Sequence, residues 1–81
     1  MKVSILDAQK TLFEGVAAQV IMPAIGGELS ILDDHEYIFI ALRAGVIRLK
    51  TFASSPGRGT VIHIAQGVAR MRNNELVVLV E

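Results

Sequence analysis

Short apolar runs, each closed by turn-forming residues, are the feature that most limits the folds open to this chain. The longest, Ile38–Leu42 and Leu76–Val80, have about five residues, the usual length of a β-strand. A helix would need apolar side chains every three or four positions over about 10–12 residues. Turn residues instead recur roughly every eight to twelve positions. We therefore predict an all-β fold, a small antiparallel β-sandwich or flattened barrel of about eight to ten short strands.

The first strands follow from the positions of apolar and turn residues. Lys2–Leu6 and Thr11–Phe13 are short, contain β-branched or aromatic side chains, and are separated by polar residues. A further strand is predicted from Val16 to Met22, and Pro23 is expected to end its ladder because proline has no N–H donor. Alternation places four residues on one face of this strand, namely Val16, Ala18, Val20 and Met22.

The segment Tyr37–Leu42 is apolar at both odd and even positions. This pattern fits a strand covered on both faces or a short buried helix, and periodicity does not separate the two. Its aromatic and β-branched content, together with the turn at Arg43-Ala44-Gly45, favours the strand.

Two hairpins are predicted in the second half of the chain. The first joins Val46–Phe52, in which Ile47 and Leu49 alternate with basic residues, to Thr60–Gln66 through the loop Ser54–Gly59. The second joins Val68–Arg72, in which Ala69 and Met71 alternate with arginines, to Leu76–Val80 through Asn73-Asn74. The first hairpin is expected to place one polar face toward solvent.

Composition excludes several classes of function. Eight acidic and eight basic side chains cancel, so the positive charge typical of a nucleic-acid-binding protein is missing. The chain contains no cysteine for disulfides or thiolate metal sites.

Its 81 residues suffice for one core, which predicts a single domain over residues 1–81. No apolar run approaches the roughly 20 residues of a transmembrane helix, and the first residues do not resemble a signal peptide.

The stretch from Gly26 to Tyr37 concentrates the polar chemistry of the chain. It contains two glycines, one histidine and four carboxylates, at Glu28, Asp33, Asp34 and Glu36. An acid–base or metal site would need these groups to converge, whereas neighbours in an extended segment point to opposite faces. We interpret the stretch as a solvated recognition loop, with Gly26-Gly27 as a turn that requires positive φ.

The remaining polar residues indicate no catalytic constellation. His63 lies among apolar neighbours and is interpreted as a partly buried structural residue. Five basic residues are predicted to line up across neighbouring strands, as either a solvated face or a partner-binding face. They are Arg43, Arg48, Lys50, Arg70 and Arg72. The residues alone therefore indicate a small β-domain that recognises a partner through a loop or a sheet face.

Several short motifs occur in the order and spacing of one known family. They are Lys10-x-Leu12-Phe13-Glu14-Gly15, Val20-x-x-Pro23, Gly27-Glu28-Leu29-x-Ile31-Leu32, His35, Leu42-x-x-Gly45-Val46-Ile47-Arg48 and Asn74-x-Leu76-Val77-Val78-Leu79. Together they resemble the N-terminal β-sandwich domain of the ATP synthase ε subunit over nearly the whole chain.

This resemblance implies a non-catalytic rotor subunit of the central stalk, without a cofactor, whose partners are the γ subunit and the c-ring. The apolar sheet face is expected to lie toward γ. In the family, the loop that corresponds to Gly27–His35 lies toward the c-ring, and it supplies the expected contact residues. They are Gly27, Glu28, Leu29, Asp33, Asp34 and His35. The implied location is peripheral, at the cytoplasmic face of the bacterial inner membrane.

Two alternatives remain open beside the resemblance. One is a free-standing β-sandwich binding module that is not part of an ATP synthase. The other is a small metal-dependent enzyme that uses Glu28, Asp33 and His35.

The sequence departs from the family pattern in the loop and at its end. The family usually has Pro-Gly where this chain has Asp33-Asp34, and Pro-Gly where it has Pro23-Ala24. Glu36-Tyr37 replaces Ala-Pro after the histidine. Aspartate tolerates turn geometry, so we expect the turn to persist, and the added charge predicts basic residues on the matching c-subunit loops. Ending at Glu81, the chain is expected to be a short form without the family's C-terminal helical hairpin.

Overall fold

The computed structural model describes residues 1–51 and 60–81, and these residues form nine β-strands connected by turns. The strands are β1 (Lys2–Leu6), β2 (Thr11–Val16), β3 (Gln19–Ala24), β4 (Gly27–Leu32), β5 (Ile38–Leu42), β6 (Gly45–Lys50), β7 (Thr60–Ile64), β8 (Gly67–Arg72) and β9 (Glu75–Val80). The predicted all-β class is confirmed. In this part of the chain there is no helix long and apolar enough to span a membrane.

The strands form a nearly closed, barrel-like sheet in the order β2-β1-β9-β8-β5-β3-β6-β7, with β4 on the free side of β3. The link between β5 and β3 is a single register pair, Ala24 with Leu42. It separates a five-stranded layer, β2-β1-β9-β8-β5, from a four-stranded layer, β4-β3-β6-β7. Buried side chains of both layers belong to one core cluster.

One strand pair differs from the predicted antiparallel arrangement. β1 and β9 are parallel, with Val3 opposite Leu76 and Ile5 opposite Val78, whereas every other pair in the described residues is antiparallel. β1 and β9 belong to different hairpins, β1–β2 and β8–β9, so no tight turn joins them and a parallel pairing is possible.

Alternating burial along the strands builds the core. In β6, Ile47 and Leu49 are buried while Arg48 is exposed, and in β8, Ala69 and Met71 are buried between exposed arginines. Both predicted alternations are confirmed. The largest fully buried side chains come from six strands, and they are Ile5, Met22, Ile31, Ile47, Leu49, Met71 and Leu76.

The predicted strand from Val16 to Met22 was placed wrongly at both ends. Val16 ends β2 and is exposed, while β3 starts at Gln19 and continues through Pro23 to Ala24. Ala24 and Gly27 flank a two-residue turn, so Pro23 and Glu28 form the next, non-hydrogen-bonded pair, in which β4 requires no N–H from the proline. On its other side, the Pro23 carbonyl accepts a hydrogen bond from the Arg43 N–H at 2.9 Å.

The apolar segment after the polar stretch is a strand, β5, and the helical alternative is wrong. The strand is covered on one face only, because Phe39 and Ala41 are exposed while Leu42 is buried. The predicted loop Ser54–Gly59 and the predicted strand end at Phe52 lie outside the described residues.

The conformations of two turns follow from the residues within them. Asn73 and Asn74 adopt left-handed φ values of 52° and 57°, which confirms the β8–β9 hairpin at a position where asparagine is well tolerated. In the β1–β2 turn, the Asp7 carboxylate accepts hydrogen bonds from the N–H groups of Gln9 (2.7 Å) and Lys10 (2.8 Å). These two bonds lower the pKa of Asp7 below its ordinary value.

The turns lie at two opposite ends of the sheet. The first end carries the β3–β4 and β5–β6 turns, and the Ile25 N–H of the β3–β4 turn donates to the carbonyl of Ala41 on β5 at 3.2 Å. The second end carries Met1, the β4–β5 loop and the β8–β9 turn. There the Lys2 N–H donates to the Asn74 carbonyl at 3.1 Å.

Candidate partner-binding surfaces

The structure divides the predicted recognition loop between the two ends of one strand. Gly27–Leu32 is β4 rather than a loop, so Gly27 and Glu28 lie at the first end, and Asp33, Asp34 and His35 follow the strand at the second end. At roughly 3.3 Å per residue, the strand separates the two groups by about 16 Å. The six predicted contact residues therefore do not form one compact cluster.

A continuous edge nevertheless connects these residues. Among residues 1–51 and 60–81, β4 pairs with β3 alone, so its other side is a free edge of the sheet in this part of the chain. Glu28, Ser30 and Leu32 are exposed along it, and Asp33 to His35 continue it past the end of the strand. We call the exposed residues Glu28, Ser30 and Leu32, together with 33–35, the β4 edge.

Two of the predicted contact residues, Gly27 and Leu29, have structural roles in β4. Leu29 is half-buried and packs against the core, with its side chain on the inner face of β4. Gly27 has φ +135°, a conformation that side chains rarely adopt, whereas Gly26 is not in the positive-φ region. The predicted positive φ is thus confirmed at Gly27 alone.

The loop at the second end keeps a tight turn although it lacks the family's Pro-Gly. Asp34 takes the left-handed conformation with φ 59°, and the His35 N–H donates to the Leu32 carbonyl at 3.2 Å. The Asp34 N–H donates to Asn74 Oδ1 at 2.8 Å, and the Met1 amino group donates to the Asp33 carboxylate. Aspartate supports the turn as expected.

The side chains of this loop do not converge as a catalytic or metal-binding group would. The carboxylate of Asp33 faces the Met1 amino group, and His35 Nδ1 lies 2.9 Å from the carbonyl of its neighbour Glu36. Within residues 1–51 and 60–81, no three His, Asp or Glu side chains come together in a way that could hold a metal ion. The Asp33 and His35 side chains of this loop therefore do not point at a common site.

Asn74 connects the β8–β9 turn to this loop, and its replacement provides a stability test. Asn74→Ala removes the acceptor for the Asp34 N–H and places a less suitable residue at φ 57°. We expect a loss of about 1–2 kcal/mol in the free energy of unfolding, measured by urea denaturation. Asn74→Asp keeps both properties and should stay within about 0.5 kcal/mol of the parent chain. Equal losses in the two variants would contradict this role.

The outer surface of the five-stranded layer is largely apolar. Residues opposite each other on paired strands share a face, so the register defines two rows across β1, β9, β8 and β5. One row is Leu6, Leu79, Val68 and Ala41, and the other is Ser4, Val77, Arg70 and Phe39. Phe39 is 64% exposed and Leu79 is 56% exposed. We call these eight residues the outer face.

A shallow groove of about 180 Å³ lies in the middle of the outer face. Its lining is Phe39, Val68, Arg70, Val77 and Leu79. Exposed apolar side chains scattered singly are ordinary on a protein surface, but a contiguous patch marks an interaction site. The groove is therefore the strongest candidate for a protein-binding surface in the described residues.

Two sequence-based interpretations of polar residues are wrong. The basic residues do not line up across neighbouring strands, because Arg48 and Lys50 lie on β6 and Arg70 and Arg72 on β8, with β5 and β3 between them. His63 is exposed on the outer side of β7, opposite Val46, and is not partly buried.

An apolar sheet face was expected from the resemblance, but its residues were not identified from the sequence, because they come from four separate strands. Tyr37–Leu42 was predicted to be covered on both sides, which hid the exposure of Phe39. The sequence did contain a signal for this face. β5 and β9 have apolar residues at both odd and even positions, and a single core can bury only one face of each strand, so the other apolar face must be exposed.

The fold defines a class, a small β-sandwich domain, and in the described residues it has an exposed apolar sheet face and a free strand edge. Within this class, residues 1–81 match the family described as ATP synthase, delta/epsilon chain, β-sandwich domain. The chain belongs to this family, and the resemblance stated from the motifs is confirmed.

Related proteins support the same family assignment. The chain is 35% identical over 81 residues to the ATP synthase epsilon chain of Acaryochloris marina and 32% identical over 80 residues to that of a Synechococcus species. Each alignment covers 99% of this chain but only 55% and 56% of the two relatives, so the chain spans about half of their length.

Solved structures show the same fold at low sequence identity. The central stalk and c-ring structure of the Tetrahymena thermophila mitochondrial ATP synthase contains a chain that matches with a TM-score of 0.80 at 14% identity, covering 99% of this chain and 62% of that one. A chain in the Euglena gracilis mitochondrial ATP synthase matches with a TM-score of 0.84 at 16% identity, covering 96% of this chain and 48% of that one.

Proposed function

We propose that this chain is a non-catalytic rotor subunit of the central stalk of an F-type ATP synthase, formed by a single ε-type domain over residues 1–81. It couples ion-driven rotation of the c-ring to ATP synthesis through contacts with the γ subunit and the ring. The observation that carries the proposal is an exposed apolar sheet face on a chain of the delta/epsilon family. The role requires no cofactor of its own.

The outer face is the surface proposed to bind γ. Phe39 and Leu79 expose more than half of their side-chain surface on rigid strands rather than on loops. A partner that covers them gains hydrophobic free energy without ordering a flexible segment. This explains why a chain of 81 residues carries more apolar surface than its own core buries.

The β4 edge is the surface proposed to contact the c-ring. Glu28, Asp33, Asp34 and His35 are polar and lie along one exposed edge, as a contact with polar loops requires. This edge belongs to the four-stranded layer and shares no residue with the outer face. One rigid body thus offers separate surfaces to two partners, which suits the transmission of torque.

The proposed location follows from these partners. Attachment to γ and the ring holds the chain at the cytoplasmic face of the bacterial inner membrane as a peripheral component. No contact of its own with lipid or nucleic acid is needed.

Co-purification tests the proposal as a whole. A tagged chain expressed in its own organism should recover γ and the c subunit from detergent-solubilised membranes, both identified by mass spectrometry. Recovery of neither subunit would overturn the proposal in favour of a free-standing binding module.

Neutralising the β4 edge is expected to weaken binding to the c-ring about tenfold. Glu28→Gln combined with Asp34→Asn removes two exposed charges, and asparagine keeps the left-handed turn at position 34. Asp33 is left unchanged because its carboxylate contacts the Met1 amino group. Binding to purified c-ring, measured by surface plasmon resonance at two salt concentrations, provides the readout.

Glu14→Gln is the matched control, since Glu14 is an exposed acid on β2, away from this edge. It should leave c-ring binding unchanged. If the Glu28 and Asp34 variant also bound as tightly as the parent chain, and binding were independent of salt, the assignment of the β4 edge would be wrong.

A further inference from the structure

One cation lies inside the apolar groove of the outer face. Arg70 lines the groove with Phe39, Val68, Val77 and Leu79. Its two cross-strand neighbours on the same face are Phe39 on β5 and Val77 on β9, and neither carries a charge.

Arg70 has no acidic partner within the described chain. The salt bridges among residues 1–51 and 60–81 join Met1 to Asp33 and Lys2 to Glu75. Residues 52–59 contain no aspartate or glutamate. The guanidinium carries five N–H donors, and none of them donates to a side chain in the described residues.

Arg72 provides an internal comparison on the same strand and the same face. It lies one row away from Arg70, opposite Glu75, so an acid of its own chain already lies across from it. Arg70 differs because everything across from it is apolar. A partner that covered the groove would remove water from this guanidinium and leave its donors unsatisfied unless it supplied acceptors.

We propose that the partner seated on the outer face presents an apolar side chain to the groove and, beside it, a carboxylate that pairs with Arg70. The inference rests on the proposed binding of γ and specifies the chemistry of the γ surface. Arginine suits this position because its planar fork accepts a carboxylate in a bidentate manner, which fixes orientation as well as affinity. Arg70 thereby sets the register between the two subunits.

Affinity for catalytic-head particles that contain the cognate γ subunit but lack this chain is the test. Arg70→Glu should weaken binding about 30-fold or more, because it opposes two carboxylates in a desolvated groove. Arg70→Lys should lose about tenfold, since a point charge replaces the bidentate fork. Arg72→Glu, the matched control, should change affinity by less than about threefold. Raising the salt concentration should weaken the parent chain more than Arg70→Gln.

The outcomes separate this inference from the proposed function. If Arg70→Glu binds as the parent chain does while Phe39→Ala weakens binding, the groove binds γ without a carboxylate and the inference is overturned alone. If neither variant affects binding, both the inference and the assignment of γ to the outer face are overturned. Equal losses in Arg70→Glu and Arg72→Glu would show a general charge effect, which also overturns it. Arg70 is exposed, so unchanged melting curves are expected for its variants.

Discussion

Replacing Phe39 and Leu79 together with alanine is expected to weaken binding to the γ-containing catalytic head about 100-fold. Both side chains are more than half exposed and line the groove of the outer face, so their truncation removes contact area without opening a cavity in the core. A few central apolar anchors commonly carry most of the affinity of an interface, and a loss of about 1.4 kcal/mol at each of the two positions corresponds to the 100-fold change. Isothermal titration calorimetry provides the affinity and, from its temperature dependence, a less negative heat-capacity change.

Val61→Ser is the matched control for this double variant. Val61 is 51% exposed on the outer side of β7, in the other layer, so the change also removes an exposed apolar side chain. It should leave the affinity within about twofold. A comparable loss with Val61→Ser would mean that γ does not select the outer face, whereas full affinity of the double variant would remove γ from that face altogether.

Gly67→Ala is expected to destabilise the domain by about 2–3 kcal/mol. A Cβ at Gly67 would lie 2.6 Å from the Leu79 carbonyl oxygen and 3.2 Å from Val80 Cγ1. The closer atom belongs to the backbone of β9, which pairs with β8 at this point, so the two strands would have to move apart. For a domain of this size the melting temperature should fall by roughly 10–20 °C.

Gly26→Ala provides the control for this prediction. Gly26 lies in the β3–β4 turn, and a Cβ there would meet no heavy atom within 4 Å. Its stability should stay within about 0.5 kcal/mol of the parent chain, as for most exposed positions. Similar melting temperatures for the two variants would show that β8 and β9 tolerate separation near Gly67.

The double variant at Phe39 and Leu79 changes binding, whereas Gly67→Ala changes the stability of the same sheet. Leu79 contributes its side chain to the outer face and its carbonyl oxygen to the close approach at Gly67. A loss of γ binding in Gly67→Ala would therefore accompany its loss of stability. In the double variant, binding alone should change, because exposed side chains add little to the folding free energy.

Local sequence was sufficient wherever neighbouring residues decide the structure. Alternation identified the buried faces of β6 and β8, and Asn73-Asn74 identified the hairpin between β8 and β9. That a turn persists at Asp33-Asp34 was also expected from residue type, and the structure adds that Asp34 is left-handed. In each case the relevant forces act within a few residues or across one hairpin.

The positions of the candidate contact residues were only partly predictable. The sequence singled out Glu28 and His35, but it treated the residues between them as a loop, because Gly26-Gly27 and the acidic cluster masked the alternation in β4. The hydrogen bond from the Asp34 N–H to Asn74 could not be predicted from the sequence, because the two residues are 40 positions apart.

The sequence by itself determined that this chain is all-β, because hydrophobic alternation and turn residues act locally and leave few folds open. Its family was indicated separately, by the resemblance of its spaced motifs. The tertiary structure decided which apolar residues stay exposed. Phe39, Val68 and Leu79 look no different in sequence from core residues, and only the pairing of β5, β8 and β9 brings them together on the outer face. One small core can cover only one side of each strand, so the apolar residues on the other side remain available for a partner.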